Sequence, residues 1–568
     1  MHDLVIRGGT IVDGTGAPRF SGDIAIDDGM ISSVGGKAGA ARRELDARGL
    51  LVAPGWVDIH THYDGQVAWD PYLSPSSWHG VTTALIGNCG VGFAPVRPGK
   101  EDFLISLMDG VEDIPTATLT EGIDFKWESF GQYLDTLSQM PRVIDVGTHV
   151  PHCAVRAYVM GERGAANQPA TADDIAQMAA VVREGLNAGA LGLSTSRTLV
   201  HRTRDKAYVP GTFAAVEEVA GIGRALGAAG HGVYEIITDV CGPDADLKWM
   251  ADLTRETGRP ISLAALISSR AAMRMGEILA FVANQNAAGA HLVAQVAARP
   301  AASLMSLQSS LHPFSTHRSY KRLVGNLDHT ERVRRMRDPQ VRAEILADSP
   351  AVKEQQTLGM VANFAHHFSL GDPPDYEPTA AMSILERARR AGKPPQEIAY
   401  DTLLERDGKE IIYMPLAYKG YSFDAIRPQL LNPNTVLSLS DGGAHCGVIC
   451  DASMPTYLLT HWVRDRGEKL PLEFAIKRQT QETAQLYGLN DRGTLQPGKK
   501  ADLNLIEFDR LRLHPPEMVF DLPAAGRRFI QRADGYRYTI VSGEVTFEDG
   551  APTGAMPGKI IRGPQSSQ

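Results

Sequence analysis

Eight short apolar runs, separated by stretches with helical patterning, limit what this chain can fold into. The runs are "LLVAPGWVDIH", "TTALIGN", "VIDVGTH", "ALGLSTS", "GVYEIIT", "PISLAAL", "HLVAQVA" and "TVLSLSD". Each is short enough for a strand, and several are continuously apolar, as strands buried on both faces are. Segments such as "TADDIAQMAAVVREGLNAG" lie between them. That one opens on Thr171 with Asp174 three residues later, close to a capping box. "TFAAVEEVAGIGRALGAAG" is another, stopped by Gly230. Alternating β and α runs argue for a parallel sheet. Eight of them predict an α/β fold, a (β/α)8 TIM-like barrel. The structural alternative is a doubly wound open sheet, but no Gly-x-Gly-x-x-Gly follows a strand to support it.

Both ends have a different texture. "DLVIRGGTIVDGTG" alternates apolar and small or polar residues, and "GDIAIDDGMISSVGG" reads as a hairpin turning at Asp28-Gly29. "ADLNLIEFD" and "YRYTIVSGEVTFEDG" repeat the pattern, with Ser542-Gly543 as a turn. The expected organisation is a small β-sandwich domain built from both chain ends, residues 1–53 and 497–550, around a barrel over residues 54–496. Residues 298–433 are too long for one βα unit and rich in charge and helical pattern. They read as a largely helical insertion over the barrel mouth. Residues 551–568 read as a C-terminal extension, with a loose tail over the last ten.

Composition narrows the function classes. The chain has 568 residues, 43% of them hydrophobic, so disorder is not the default. Its net charge is −9 and it has no long basic stretch, which argues against nucleic acid as a partner. The opening "MHDLVIRGGTIVDG" is not a signal peptide, and no apolar run reaches membrane-spanning length, so no membrane association is expected. Five thinly spread cysteines form no disulfide framework. Together these predict a cytoplasmic protein.

Chemistry concentrates at the ends of the apolar runs. His60 and His62 close the first, two positions apart, so in an extended chain both imidazoles face one side. Cys89 follows the second run, and Asp441 ends the eighth. Imidazole, thiolate and carboxylate are all zinc-type ligands. Barrel active sites sit at the C-terminal strand ends, and closure sets the eighth strand beside the first. His60, His62, Cys89 and Asp441 are therefore predicted to share one metal. One or two zinc ions fit the mixed N, S and O donors, with manganese, iron or cobalt as alternatives. Asp441 is also placed to take a proton from water and pass it to a leaving nitrogen. The predicted chemistry is metal-assisted hydrolysis of an amide or similar C–N bond in a small molecule.

The chain resembles the amidohydrolase superfamily, and within it the N-acyl-D-amino-acid deacylase (D-aminoacylase) group. The resemblance rests on "APGWVDIHTHYD", "GVTTALIGNCGVGFAPVRP", "GTHVPHCAVRAYVMGERG", "GALGLSTS", "LSDGGAH" and "DRGTLQPGKKADLNLIEFD". It implies a cysteine in metal binding at Asn-Cys-Gly, a β-sandwich from both chain ends, and N-acyl-D-amino acids as substrates. The chain also departs from the group. The resemblance implies metal-binding histidines on the fifth and sixth strands, but "GVYEIITDV" and "PISLAALISS" contain none. A lysine two positions beyond the second histidine is also absent. Glu235 in the fifth run is the candidate substitute.

Other residues divide between roles. His152 and Arg156 match the group's "GH…R" pattern and are candidate substrate contacts, against a loop-satisfied histidine. Tyr208 lies in a Tyr-x-Pro-Gly loop like the group's and is expected to shape the pocket. His445 is a candidate to orient Asp441 or bind substrate. Arg197, Arg202 and Arg204 are candidates for a substrate carboxylate, with solvated loop charges as the alternative. Cys153, Cys241, Cys446 and Cys450 read as small buried residues, and His366-His367 as helix packing. Besides an N-acyl-amino-acid deacylase, two functions stay open: hydrolysis of another linear or cyclic amide, and a non-catalytic barrel. Whether the chain forms a homo-oligomer is also open.

Overall fold

The computed structural model describes residues 1–239, 247–264, 275–352, 354–437 and 440–566. Cys241 and the end of the sixth apolar run lie outside the described residues.

Eight parallel strands pair in chain order. They are β1 (Trp56–Asp58), β2 (Val81–Ile86), β3 (Asp145–Pro151), β4 (Gly192–Arg197), β5 (Val233–Thr238), β6 (Ile261–Ala264), β7 (Leu292–Val296) and β8 (Thr435–Leu437). A parallel bridge between Thr61 and Gly442 joins the ends of the series. There His62 N donates to Gly442 O at 2.7 Å. Each strand falls on one of the eight apolar runs, and the fold is the (β/α)8 barrel that they predict. The first run is a partial exception, because it is two strands. Leu51–Pro54 pairs with Leu503–Ile506 in the other sheet, and the chain enters the barrel only at Trp56. Gly55 permits the crossover: a Cβ there would sit 2.2 Å from the Thr82 hydroxyl. Apolar content alone does not mark the break, because both halves are buried.

Helices cover the strands from outside. The ones that matter here are α1 (Glu101–Glu112), α2 (His152–Met160), α3 (Ala172–Ala188) and α4 (Val216–Ala229). Thr171 and Asp174 cap the start of α3 reciprocally, and Gly230 ends α4 at φ 73°.

A nine-stranded sheet combines strands from residues 2–54 with strands from residues 503–552. It has its own core, including Leu4, Ile6, Ile24, Ile26, Leu503, Leu505 and Ile540. Asp28-Gly29 and Ser542-Gly543 both turn with two consecutive positive φ values, which the tight hairpin turn requires. Residues 298–433 carry seven short helices and a three-stranded sheet made by Ala302–Met305, Phe368–Ser369 and Ile412–Pro415. Met305, Phe314, Tyr400, Leu403 and Ile412 form a separate core there.

The C-terminal end is not the loose tail that its composition suggests. Val146 N donates to Lys559 O at 2.9 Å, Ile561 N to Val146 O at 2.8 Å, and Gln565 N to Gly488 O at 2.9 Å. Ile561 is buried. Backbone pairing against β3 supplies what the side chains do not advertise. Among the described residues, no helix is long and apolar enough to cross a membrane.

Candidate metal centre

His60 and His62 sit just past β1, where the chain is still extended enough to aim both rings inward. Cys89 lies in a tight turn past β2. Its own φ is 53°, between Gly87 at 77° and Gly90 at 72°. Both glycines are needed for space as well. A Cβ at Gly87 would lie 2.6 Å from His149 O, and one at Gly90 would lie 2.8 Å from Ser196 N. Glu235, from β5, receives the Cys89 N–H on Oε2 at 2.8 Å and so holds that turn. Asp441 follows β8 at φ 48°.

These elements bring His60, His62 and Cys89 together, with Asp441 beside the two imidazoles. Asp441 Oδ1 stands 3.5 Å from His60 Nε2 and 3.5 Å from His62 Nε2. Cys89 Sγ stands 3.4 Å from His60 Nε2. Ligand atoms of His60, His62 and Cys89 all lie within 4.8 Å of one another. Ligands about 2.0–2.3 Å from a tetrahedral zinc stand roughly 3.3–3.8 Å apart, and the three separations of 3.4, 3.5 and 3.5 Å match that edge. Asp441 Oδ1 is buried with no hydrogen-bond partner, which also fits a cation position.

The outer nitrogens of both rings are turned to other partners. His60 Nδ1 meets Gln295 Oε1 at 2.7 Å, and Gln295 Nε2 donates to Ser262 Oγ at 2.8 Å. With a carbonyl oxygen as its partner, Nδ1 is the protonated nitrogen, and Nε2 keeps its lone pair for the centre. His62 Nδ1 lies 3.1 Å from Glu112 Oε1, close enough for an ion pair but not aligned as a hydrogen bond.

Electrostatics treat the two rings differently. Burial lowers His60 to about 4, so its ring is neutral, as a ligand must be. Burial also opposes charge on His62, but Glu112 and Asp441 overcome it and hold that ring well above its ordinary value. Burial works against an ionised Asp441 too, yet the neighbouring His62 and His60 rings hold the carboxyl well below the usual range. Burial and the neighbouring Glu235 push the Cys89 thiol far up, so a thiolate here requires an adjacent cation.

The structure distributes the other candidates differently. Glu235 is fully buried beside the cluster, with Oε1 lacking a hydrogen bond and 3.9 Å from His60 Nδ1; burial raises it to about 8. His445 lies at the rim, its N–H donating to Glu112 Oε2 at 3.3 Å. His152 and Arg156, read from the sequence as substrate contacts, are instead committed to the protein. His152 Nδ1 meets Thr195 Oγ1 at 2.8 Å and Nε2 meets Glu218 Oε1 at 3.1 Å. Arg156 donates to the same Glu218 oxygen at 2.8 Å and to Gly164 O and Gln168 O. They tie α2 to α4, and the sequence could not show this because Glu218 lies more than sixty residues away. Tyr208 is half-buried beneath the Arg202 guanidinium, 3.5 Å from the ring centroid, and Arg204 pairs with Asp109. Cys153, Cys446 and Cys450 are buried and unpaired. His367 is packed inside the insertion, with Nε2 2.7 Å from Met360 O, and His366 stacks on Tyr421.

Sequence reasoning missed four groups at the centre: Glu112, Gln295, His201 and Asp64. Gln295 did leave a signal, as a polar residue inside a buried apolar run. Asp64 is buried with Oδ2 unpartnered and raised by burial to about 7. His201 Nδ1 meets Ser196 Oγ at 3.0 Å, and burial lowers the ring to about 4. Glu112 ends a helix more than forty residues from His62, and no local pattern connects them.

A closed parallel barrel with imidazole, thiolate and carboxylate donors converging past its strand ends defines a hydrolase of the metal-assisted class. Comparison with known proteins identifies the family. The model of the amidohydrolase family matches residues 43–547, and the chain belongs to that family. It is 26% identical to a D-aminoacylase from Alcaligenes xylosoxydans xylosoxydans over 562 residues, 98% of this chain and 97% of that protein. A crystal structure of D-aminoacylase, 25% identical, superposes with a TM-score of 0.65 and covers 99% of this chain and 100% of that one. The N-acyl-D-glutamate deacylase of Bordetella bronchiseptica, solved with zinc and a phosphonate inhibitor, is 22% identical, with a TM-score of 0.64 and coverage of 99% of each chain.

Proposed function

We propose that this protein is a zinc-dependent deacylase that hydrolyses the amide bond of N-acyl-D-amino acids. The observation that carries the reading is the cluster of His60, His62 and Cys89, with Asp441 Oδ1 3.5 Å from Nε2 of both imidazoles. The D configuration and the acyl-amino-acid class follow from the likeness to a D-aminoacylase over nearly the whole chain.

Those four side chains would hold the ion. A zinc ion there supplies Lewis acidity to a carbonyl oxygen and makes water a stronger acid. The protein's own groups do the rest. Gln295 keeps His60 in one tautomer, and burial excludes bulk water from both rings. Asp441 is held ionised beside the two imidazoles, in the form that can accept a proton. On this reading an Asp441 oxygen takes the proton as the new C–O bond forms. It returns the proton to nitrogen as the C–N bond breaks, leaving a carboxylic acid and a free amine.

The test joins two measurements: zinc content of protein purified without added metal, and hydrolysis of N-acyl-D-amino acids, N-acyl-L-amino acids and cyclic amides. Bound zinc with D-selective release of the amine is the expected result. Hydrolysis confined to cyclic amides would replace the substrate class. Protein that binds no zinc would remove the metal-dependent reading. A different amide substrate remains the second reading because neither the fifth strand, VYEIIT, nor the sixth, ISLA, carries the histidine that the resemblance implies.

A further inference from the structure

Glu112 occupies a position that is unfavourable for a carboxylate. It is the last residue of α1, where the unpaired helix carbonyls disfavour negative charge. It is also 1% exposed, so its charge has little water around it. The surroundings account for its presence. Oε1 lies 3.1 Å from His62 Nδ1, on the side of the ring opposite the converging donors. Oε2 accepts the His445 N–H at 3.3 Å, and the Glu112 carbonyl accepts the Cys446 N–H at 3.1 Å. One residue therefore touches both a candidate ligand and the loop that carries Asp441.

We infer that Glu112 is a positioning residue for the metal centre: it fixes the ring orientation and Nδ1-protonated tautomer of His62, and so raises the affinity of the site for a divalent cation. The inference rests on the metal-dependent reading above. A ligating imidazole donates better when its outer N–H faces a carboxylate, and loss of such a partner typically weakens metal binding roughly 10–100-fold.

The test measures Zn(II) affinity by chelator competition, and the visible spectrum of the Co(II) form, on the full chain and on three variants. Glu112→Gln keeps an acceptor oxygen without its charge, and Glu112→Ala removes both. Asp113→Asn is the control: Asp113 adjoins Glu112, and its Oδ2 takes the Ser310 hydroxyl rather than a histidine. The expected result is Zn(II) binding about 10–100-fold weaker in Glu112→Gln, weaker still in Glu112→Ala, and unchanged in Asp113→Asn. The Co(II) spectrum should shift in the first two variants, with thermal unfolding of the metal-free Glu112→Gln protein like that of the unaltered chain. Unchanged affinity in Glu112→Gln overturns the inference. Equal loss in Asp113→Asn overturns it too, because it shows that the helix end merely holds the loop. An unaltered chain that binds neither metal removes the metal-dependent reading, and this inference with it.

Discussion

Gln295 reaches from β7 to His60, past β1, through a 2.7 Å contact between its Oε1 and the ring Nδ1. The same amide donates to Ser262 on β6, so three barrel strands share one hydrogen-bond chain beneath the candidate metal centre. The chain is buried throughout: His60, Gln295 and Ser262 are all 0% exposed.

Replacing Gln295 with Leu keeps the volume but leaves His60 Nδ1 without a partner. The ring can then adopt either tautomer, and metal affinity should fall roughly 10–100-fold. Chelator competition measures this directly. Affinity equal to that of the unaltered protein would show that packing alone orients the ring.

Asp441→Asn should leave the fold intact and lower turnover by about 10²–10⁴-fold, the usual contribution of a positioned proton carrier. Circular dichroism checks the fold, and amine release checks turnover. Undiminished turnover would remove Asp441 from proton transfer, whatever its part in holding metal.

Asp145, in β3, joins three parts of the molecule. Its carboxylate meets Arg492 at 2.6 Å, is ion-paired with Lys500, and accepts the Lys559 N–H at 2.8 Å. Burial opposes its charge, but the two cations hold it below the ordinary carboxylate range. Asp145→Asn removes the carboxylate that both cations share, while Arg492 keeps Asp491 and Lys500 keeps Asp502, and should cost about 1–3 kcal/mol of stability. Urea unfolding of the variant measures the loss, and a change under 1 kcal/mol, about the worth of an exposed pair, would contradict it.

Acid should destabilise the metal-free protein through its buried neutral histidines, against a smaller opposing contribution from Asp64 and Glu235, which burial raises to about 7 and about 8. Burial lowers His79 to about 4 and His312 to about 3. Their unfolded values lie near 6.5, so between these limits the unfolded chain binds more protons. The contribution of these histidines is therefore complete above about pH 6.5 and declines as pH falls, by up to about 1.4 kcal/mol per unit for each. Urea midpoints at pH 7.5, 5.5 and 4.5 test this. His79→Gln should flatten the slope by one proton, whereas a midpoint constant across the window would contradict the buried neutral state.

The sequence alone determined the barrel and the placement of His60, His62, Cys89 and Asp441. Strand periodicity and strand order are local properties, and strand order puts the end of the eighth strand beside the end of the first. The hairpin turns at Asp28-Gly29 and Ser542-Gly543 were legible for the same reason, because their φ requirements act within two residues. Tertiary structure decided what surrounds those side chains. Glu112 meets His62, Gln295 meets His60, and Glu218 takes His152 and Arg156 away from any ligand. Each of these contacts joins residues more than forty positions apart. No chain-local pattern encodes them, since they exist only once burial has forced each polar group to find its partner in three dimensions.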